Sequence, residues 1–394
     1  MKNLLLIAVI AIVLASCSKS FDKPASSAAI ETSAHGEQKC DFGLTKFNLS
    51  KRAPIDNGIA LRKPTRPTTG GGTTTTNPPT GGVILLDFDG TIVKNTSWNY
   101  NGDINCAPAN LSAAQIDEIL MRVSNDYSPF NILVTTDEAI YNAANIYKRM
   151  RVVFTESWEW YGQAGGVSMT GSFSTGSGSP CFVFSSLLNY NTKNISEAGS
   201  HEAGHTLGLR HQASYDANGV LTSSYNYGQG TGETGWAPIM GVGYNRNLTI
   251  WHNGPTAAGP TSSQDDVAII TNVVGAKNDD FADNYSNATA IQGSIDGMIN
   301  NNNDVDFFTI DIADLKNISL VPSNVGSPNS GADVDLLLKI YNSQGQLINT
   351  FDDVNTLNIS TTLNSGKYYL AVTSTPNQYA TKYGMLGKYT VTIL

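Results

Sequence analysis

Hydrophobic and polar positions follow two different patterns along this chain, and the change comes near residue 278. From residue 83 to residue 277, short apolar runs alternate with segments whose apolar residues recur every three or four positions. That alternation predicts strands and helices in turn. From residue 278 to residue 394, short apolar runs are separated by Asn-, Gly- and Ser-rich turns, which is typical of an antiparallel β-sandwich. We therefore predict an α/β domain at 83–277 followed by an all-β domain.

The pattern is specific enough to predict individual elements. In the helix predicted at 112–127, Ile116, Ile119, Leu120 and Val123 share one face, and Ser112 is its N-cap. The run at 83–88 predicts a buried strand. The other predicted elements are strands at 130–135, 151–155, 166–173, 182–185, 306–310, 336–341, 368–372 and 389–393, and helices at 137–147, from near residue 196, and at 264–274.

The first 82 residues carry no pattern of a packed domain. A short basic start and an apolar run at 4–14 predict a signal peptide over residues 1–17, too short to span a membrane as a mature helix. Leu14-Ala15-Ser16-Cys17 matches the bacterial lipobox, so we expect Cys17 to carry lipid; an ordinary signal peptide with an incidental cysteine is the alternative. Residues 18–61 are then a tether or pro-segment, and the Pro-, Gly- and Thr-rich residues 62–82 are a linker.

Charge and export narrow the class of protein. A net charge of -9 with only 24 Lys and Arg residues argues against a nucleic-acid surface. The lipobox predicts an extracytoplasmic, lipid-anchored protein, and Ser18 after the cysteine indicates the outer membrane or cell surface. In that oxidising environment Cys106 and Cys181 could form a disulfide, and Cys40 is left over.

The strongest chemical signal is residues 201–211, which read His-Glu-Ala-Gly-His-Thr-Leu-Gly-Leu-Arg-His. His201 and His205 are four apart and share one face of a helix, as two ligands of one Zn²⁺ require. Gly208 allows the helix to stop, so that His211 can return as a third ligand. Glu202 is placed to take a proton from a zinc-bound water. We predict a zinc site with Glu202 as the catalytic residue.

This motif resembles that of the metzincin zinc peptidases. The resemblance implies a catalytic domain with a mixed sheet and a zinc-binding helix, and a metalloendopeptidase acting on extracellular proteins or peptides. It also implies a methionine turn beneath the metal, for which Met240 fits. The chain departs from several of these families in having Val242 where they have tyrosine, the nearest tyrosine being Tyr244.

Two other functions remain open on the sequence. Asp87-Phe88-Asp89-Gly90-Thr91 resembles the nucleophile motif of haloacid-dehalogenase-type phosphatases, in which Asp87 would attack phosphorus and Asp89 would act as acid and base with magnesium. A surface binding protein with a structural zinc is the second alternative. Phosphate release that needs magnesium and survives a zinc chelator would favour the phosphatase.

The C-terminal residues add two further expectations. Segments 304–308, 333–336 and 366–372 resemble the bacterial pre-peptidase C-terminal domain, and their paired aspartates could bind Ca²⁺. In the catalytic domain, chain order places strand 166–173 at the edge of the sheet, where metzincins bind peptide substrate as an extra strand. An interior strand is the alternative, and the sequence does not give the cleavage specificity.

Overall fold

The structure is a computed structural model that describes residues 80–324 and 330–394, together with the backbone of residues 31–32 and 38–42. The predicted signal peptide with Cys17, most of the tether and the linker up to residue 79 lie outside these residues. Among the residues described, no helix combines the length and the apolar character that crossing a membrane requires.

The first part of the chain builds a seven-stranded sheet. Its elements, with a small hairpin, are β1 (Glu31–Thr32), β2 (Gln38–Phe42), β3 (Gly82–Asp87), β4 (Thr91–Val93), β5 (Ile104–Cys106), α1 (Ala113–Asp126), β6 (Ile132–Thr135), α2 (Glu138–Ala143), β7 (Arg149–Thr155), β8 (Gly166–Met169), β9 (Cys181–Phe184) and α3 (Thr192–Thr206). The strand order is β1-β2-β8-β9-β7-β3-β6. Strands β9, β7, β3 and β6 are parallel, and β8 and β2 are antiparallel to their neighbours. The sheet is therefore mixed.

Strand β3 lies inside this sheet and explains its two apolar faces. All six of its residues are buried, as its continuous apolar run predicts for a strand covered on both sides. Ile84 and Leu86 pack on the face covered by α1 and α3. Val83 and Leu85 point to the opposite face, where they contact Tyr141 of α2.

The same two faces rule out the predicted disulfide. Cys106 and Cys181 are both free and buried. Cys181 belongs to the apolar cluster on the helix-covered face of the sheet, whereas Cys106 belongs to the cluster around Trp98 on the other face. The predicted pairing is wrong because the sheet itself separates the two thiols.

Capping residues and one glycine with a positive φ explain where the predicted helices and strands agree with the structure and where they do not. Helix α1 begins after Ser112, whose hydroxyl accepts from the Gln115 N–H in a capping box, so that prediction is confirmed. The helix predicted at 137–147 is wrong in length, because α2 ends at Ala143 and Asn145 caps a separate 3-10 turn. The strand predicted at 166–173 is also too long, since Gly171 takes a φ of 77° and starts another 3-10 turn.

Short ladders follow the zinc motif and lead to a closing helix. Helix α4 begins after Asp265, whose side chain accepts from the Ala268 N–H, and matches the helix predicted at 264–274 to within two residues. The elements of this segment are β10 (Ser214–Tyr215), β11 (Leu221–Ser223), β12 (Trp236–Pro238), β13 (Leu248–Ile250), β14 (Asn253–Thr256), β15 (Gly259–Asp265) and α4 (Asp266–Val274).

The C-terminal residues form a β-sandwich, and the four predicted strands are confirmed within it. Its strands are β16 (Thr289–Ala290), β17 (Ser294–Ile299), β18 (Val305–Ile312), β19 (Lys316–Pro322), β20 (Leu336–Asn342), β21 (Leu347–Phe351), β22 (Ile359–Leu363), β23 (Gly366–Ser374) and β24 (Gly387–Ile393). One sheet has the order β16-β18-β23-β20-β21 and the other β17-β24-β19-β22. Phe308 and Leu338 of the first sheet share a core with Ile318 and Val391 of the second.

This sandwich packs directly on the first part of the chain. Trp236, Leu248 and Ile250 belong to the sandwich core although they precede it in sequence. Two buried carboxyl groups also meet where the two parts pack together. Asp126, at the end of α1, shares a hydrogen bond with Asp333 of the sandwich. The C-terminal domain is thus attached by apolar packing and by buried polar contact rather than by a linker alone.

Candidate metal centre

Helix α3 places His201 and His205 on one face, one turn apart. Their ring centroids are 4.6 Å apart, and both side chains are fully buried. The helix begins at Thr192 with Asn191 as its N-cap, one turn earlier than the sequence pattern predicts. It therefore holds both imidazoles in its last turns, close to the point where the chain turns back.

The turn after α3 brings the third histidine to the other two. Gly208 has a φ of 107°, a backbone conformation that favours glycine, and the Leu209 N–H donates to the Gly204 carbonyl at 3.2 Å. His211 then returns so that its Nε2 lies 3.0 Å from Nε2 of His205. One ring nitrogen from each of His201, His205 and His211 lies within 4.8 Å of the others. The predicted meeting of the three side chains is present.

Backbone carbonyls fix which ring nitrogen faces the centre. Nδ1 of His201 lies 2.8 Å from the Ile239 carbonyl, and Nδ1 of His205 lies 2.7 Å from the Leu209 carbonyl. Because a carbonyl only accepts, each Nδ1 carries the hydrogen and each Nε2 carries the lone pair that a metal ligand needs. A three-imidazole donor set of this kind fits a zinc ion.

Burial also sets the charge of these ligands. The pKa values of His201 and His211 are lowered well below 6.5, first by burial and then by the neighbouring histidines. Both rings are therefore neutral at pH 7, which is the form that binds a metal ion.

Met240 lies under the helix between the two histidines. Pro238–Gly241 form a turn closed by a 2.9 Å hydrogen bond from the Gly241 N–H to the Pro238 carbonyl. Met240 is fully buried, and a Cβ added to Gly204 would come within 2.8 Å of its sulfur. The glycine within the histidine motif thus leaves room for the methionine below it, and Ile239 beside Met240 orients His201.

Strand β8 holds the predicted catalytic carboxylate. The Ser168 hydroxyl donates to Oε2 of Glu202 at 2.6 Å, and both residues are fully buried. Gly166 lets the Glu202 side chain approach the strand, since a Cβ at this glycine would lie 2.7 Å from Cγ of Glu202. The sequence pattern places Ser168 on a strand but gives no sign that it contacts Glu202.

Tyr225 lies beside the third histidine, and the sequence does not predict this contact. The ring of Tyr225 lies 4.3 Å from the ring of His211 at an angle of 35°, and the side chain is 3% exposed. The ring of Tyr225 is therefore packed against the ring of a candidate metal ligand. The only sequence signal is its place in the Gly- and Tyr-rich segment after His211.

The nucleophile of the phosphatase alternative is held in an ion pair. The Asp87 carboxylate is buried and bound by the Arg151 guanidinium, with 2.5 Å between Oδ2 and Nη1. Arg151 also binds Glu138. Asp87 is thus held in an ion pair that joins β3 to β7, and Asp89 is exposed at the turn that follows.

Aspartates of the C-terminal domain form two further clusters. Carboxylate oxygens of Asp279, Asp283 and Asp304 lie within 4.8 Å of one another, as do those of Asp279, Asp280 and Asp306. Burial raises the pKa of Asp304 to about 7 and that of Asp306 to about 8. Calcium stays a prediction for these clusters.

Comparison with known proteins bears on residues 94–248, which match the Peptidase_M57 family, described as dual-action HEIGH metallo-peptidases. The five letters of HEIGH agree with residues 201–205 except that Ala203 stands in place of isoleucine. The matched residues contain the three histidines, Glu202 and Met240. The match supports a metallopeptidase that hydrolyses protein or peptide substrates, and it does not favour the phosphatase or the binding protein.

Other comparisons add little. No curated protein matches the chain. Among solved structures, the pre-peptidase C-terminal domain of a collagenase from Bacillus anthracis is 17% identical, with a TM-score of 0.21, over 30% of this chain and 100% of that chain. A periplasmic inhibitor of g-type lysozyme from Aeromonas hydrophila is 15% identical, with a TM-score of 0.19, over 27% of this chain and 96% of that chain. At such TM-scores neither likeness assigns a fold or a function.

Proposed function

We propose that this chain is a zinc-dependent endopeptidase that cleaves extracellular proteins or peptides. The observation that carries the proposal is the meeting of three buried imidazoles, two of them oriented by backbone carbonyls, beside a buried glutamate that a strand holds in place. The family match over residues 94–248 supports a metallopeptidase. Zinc is proposed because of the imidazole donor set. Cleavage of internal peptide bonds is proposed because the motif is metzincin-like.

His201, His205 and His211 would hold the zinc ion. When bound, zinc lowers the pKa of a water molecule toward ~7 and polarises the substrate carbonyl. Glu202 accepts the proton of the attacking water and passes it to the leaving amine. Ser168 keeps the Glu202 carboxylate in place during this transfer, and the Ile239 and Leu209 carbonyls keep two imidazoles oriented. Met240 serves as the methionine turn beneath the centre.

The N-terminus supports a location outside the cytoplasm. Residues 14–17 fit a lipobox, so Cys17 becomes the lipidated first residue and anchors the chain at the outer membrane or cell surface. The C-terminal sandwich would then act as a pre-peptidase C-terminal-like domain that stays packed on the peptidase.

A mixed peptide library, incubated with the purified chain with and without a zinc chelator, tests this function. Mass spectrometry should find cuts inside the peptides rather than at their ends, which chelator abolishes and added zinc restores. Cuts only at peptide ends would contradict an endopeptidase. Magnesium-dependent phosphate release that survives the chelator would instead establish the phosphatase. Zinc bound without any cleavage, both by the full chain and by chains in which proline replaces Lys39 or Cys40 of the strand that pairs with β8, would establish the structural site.

A further inference from the structure

The outer side of strand β8 is covered by a strand from the N-terminal segment. β2 pairs with β8 in antiparallel register, from Lys39 opposite Met169 to Phe42 opposite Gly166. β1 pairs in turn with the outer side of β2. The prediction that β8 forms the open edge of the catalytic sheet is therefore wrong for the full chain. On this side of the sheet, β8 is the last strand that the matched peptidase residues contribute.

This covered side of β8 lies next to the catalytic carboxylate. Ser168, in the middle of β8, donates to Glu202, and the backbone of Gly166 packs against the same side chain. Cys40 stands opposite Ser168 in the register, and β2 also contacts helix α3. Adjacent strands are about 4.8 Å apart, so the backbone of residues 39–41 passes one strand spacing from the strand that holds Glu202.

The side chains of the metal centre are also buried in this arrangement. His201, Glu202 and His205 have no exposed surface, and His211 is 5% exposed. An extended peptide that adds to a sheet edge gains its affinity from main-chain hydrogen bonds to that edge. Those positions along β8 are occupied by β2. A substrate strand and β2 therefore compete for the same backbone groups.

We propose that residues 38–42 occupy the place of an extended peptide substrate and keep the peptidase latent until this strand is displaced. The inference rests on the proposed function. A tethered strand competes at an effective concentration of roughly millimolar, which a dilute protein substrate does not match. The antiparallel pairing further indicates that substrate runs antiparallel to β8. Backbone pairing, rather than the Cys40 thiol, is the inhibitory contact.

Single proline substitutions in β2 of the full, zinc-loaded chain test the proposal. In an antiparallel ladder, adjacent residues direct their N–H groups to opposite sides. Of Lys39→Pro and Cys40→Pro, only one therefore removes an N–H that faces β8, and the other is its matched control. Thr75→Pro in the linker controls for an added proline, and Cys40→Ser controls for loss of the thiol.

Two readouts separate pairing from activity. Amide hydrogen exchange of residues 166–169 reports whether β8 is covered, and cleavage of fluorescein-labelled casein reports latency. We expect one proline in β2 to speed both by about tenfold, the effect of one lost backbone hydrogen bond. Cys40→Ser and Thr75→Pro should behave like the unaltered chain, and adding Glu202→Ala to the active proline variant should abolish cleavage.

Contrary results have distinct meanings. Unchanged exchange in both proline variants, or casein cleavage by the unaltered chain as fast as by the variants, would overturn latency while leaving a Glu202-dependent peptidase. Activation by Cys40→Ser equal to that by proline would also overturn it, because the thiol would then be the inhibitory group. If no variant cleaves casein even where exchange is faster, the proposed function and the latency fail together.

Discussion

Ser168→Ala should slow the chemical step without removing the metal. The Ser168 hydroxyl donates to the buried Glu202 carboxylate at 2.6 Å, and the two residues are 34 positions apart in sequence. Without this donor the carboxylate loses its contact with β8 and is held less firmly in the position in which it takes the proton. Since the strand backbone and the three imidazoles are unchanged, we expect folding and zinc binding to persist.

The size of the effect follows from the type of hydrogen bond. A hydrogen bond to a charged group contributes about 1.5–3 kcal/mol. One factor of ten in rate corresponds to ~1.36 kcal/mol, so kcat should fall roughly 10- to 100-fold. KM should change little, because the lost contact orients a reacting group rather than the substrate.

Steady-state cleavage of fluorescein-labelled casein measures kcat and KM separately. It is carried out with Ser168→Ala added to whichever of Lys39→Pro and Cys40→Pro uncovers β8. Ser172→Ala is the control, since it removes a hydroxyl of the same size from the 3-10 turn that follows β8. Zinc content and melting temperature are measured in parallel. A kcat within twofold of the parent, or a change confined to KM with zinc retained, would refute the role of Ser168.

Three other predictions follow from packing, burial and the N-terminal motif. Gly204→Ala should lower the melting temperature despite alanine's better helix propensity, because its Cβ would lie 2.8 Å from the Met240 sulfur. In a double-mutant cycle, Gly204→Ala should cost less stability when Met240 is already alanine. Additive losses of stability would contradict this contact. Burial raises the pKa of Asp126 from 3.8 to about 7, so its neutral form contributes stability below about pH 4 that is lost as the pH rises through 7. Asp126→Asn should therefore flatten the fall of the melting temperature between pH 4 and 8. An unchanged slope would count against this role of Asp126. Cys17→Ser should abolish metabolic labelling with palmitate, and labelling that persists would exclude this cysteine as the anchor.

What the sequence predicts well is what depends on neighbours along the chain. The spacing from His201 to His211 encodes one helical turn, a stop at Gly208 and a return, so the meeting of the three histidines could be predicted. The Ser112 cap and the strand at 83–88 are local signals of the same kind.

What the sequence does not predict depends on the order of strands in the sheet. Cys106 and Cys181 look like a pair until the sheet is built and places them on opposite faces. The contact of Ser168 with Glu202 requires β8 to pass the zinc helix, which no spacing encodes. In the sequence, Cys40 stands out only as an unpaired thiol. In the structure, its backbone pairs β2 with β8.

The central claim is that Glu202 performs the proton transfer at a centre held by three histidines. The most direct test introduces Glu202→Ala and His205→Ala separately into whichever of Lys39→Pro and Cys40→Pro is active, and compares zinc content and chelator-sensitive peptide cleavage. Glu202→Ala should retain one zinc per chain and lose at least ~100-fold in activity, because the ligands remain and only the proton carrier is gone. His205→Ala should lose both zinc and activity. Appreciable cleavage by purified, zinc-loaded Glu202→Ala would contradict the mechanism.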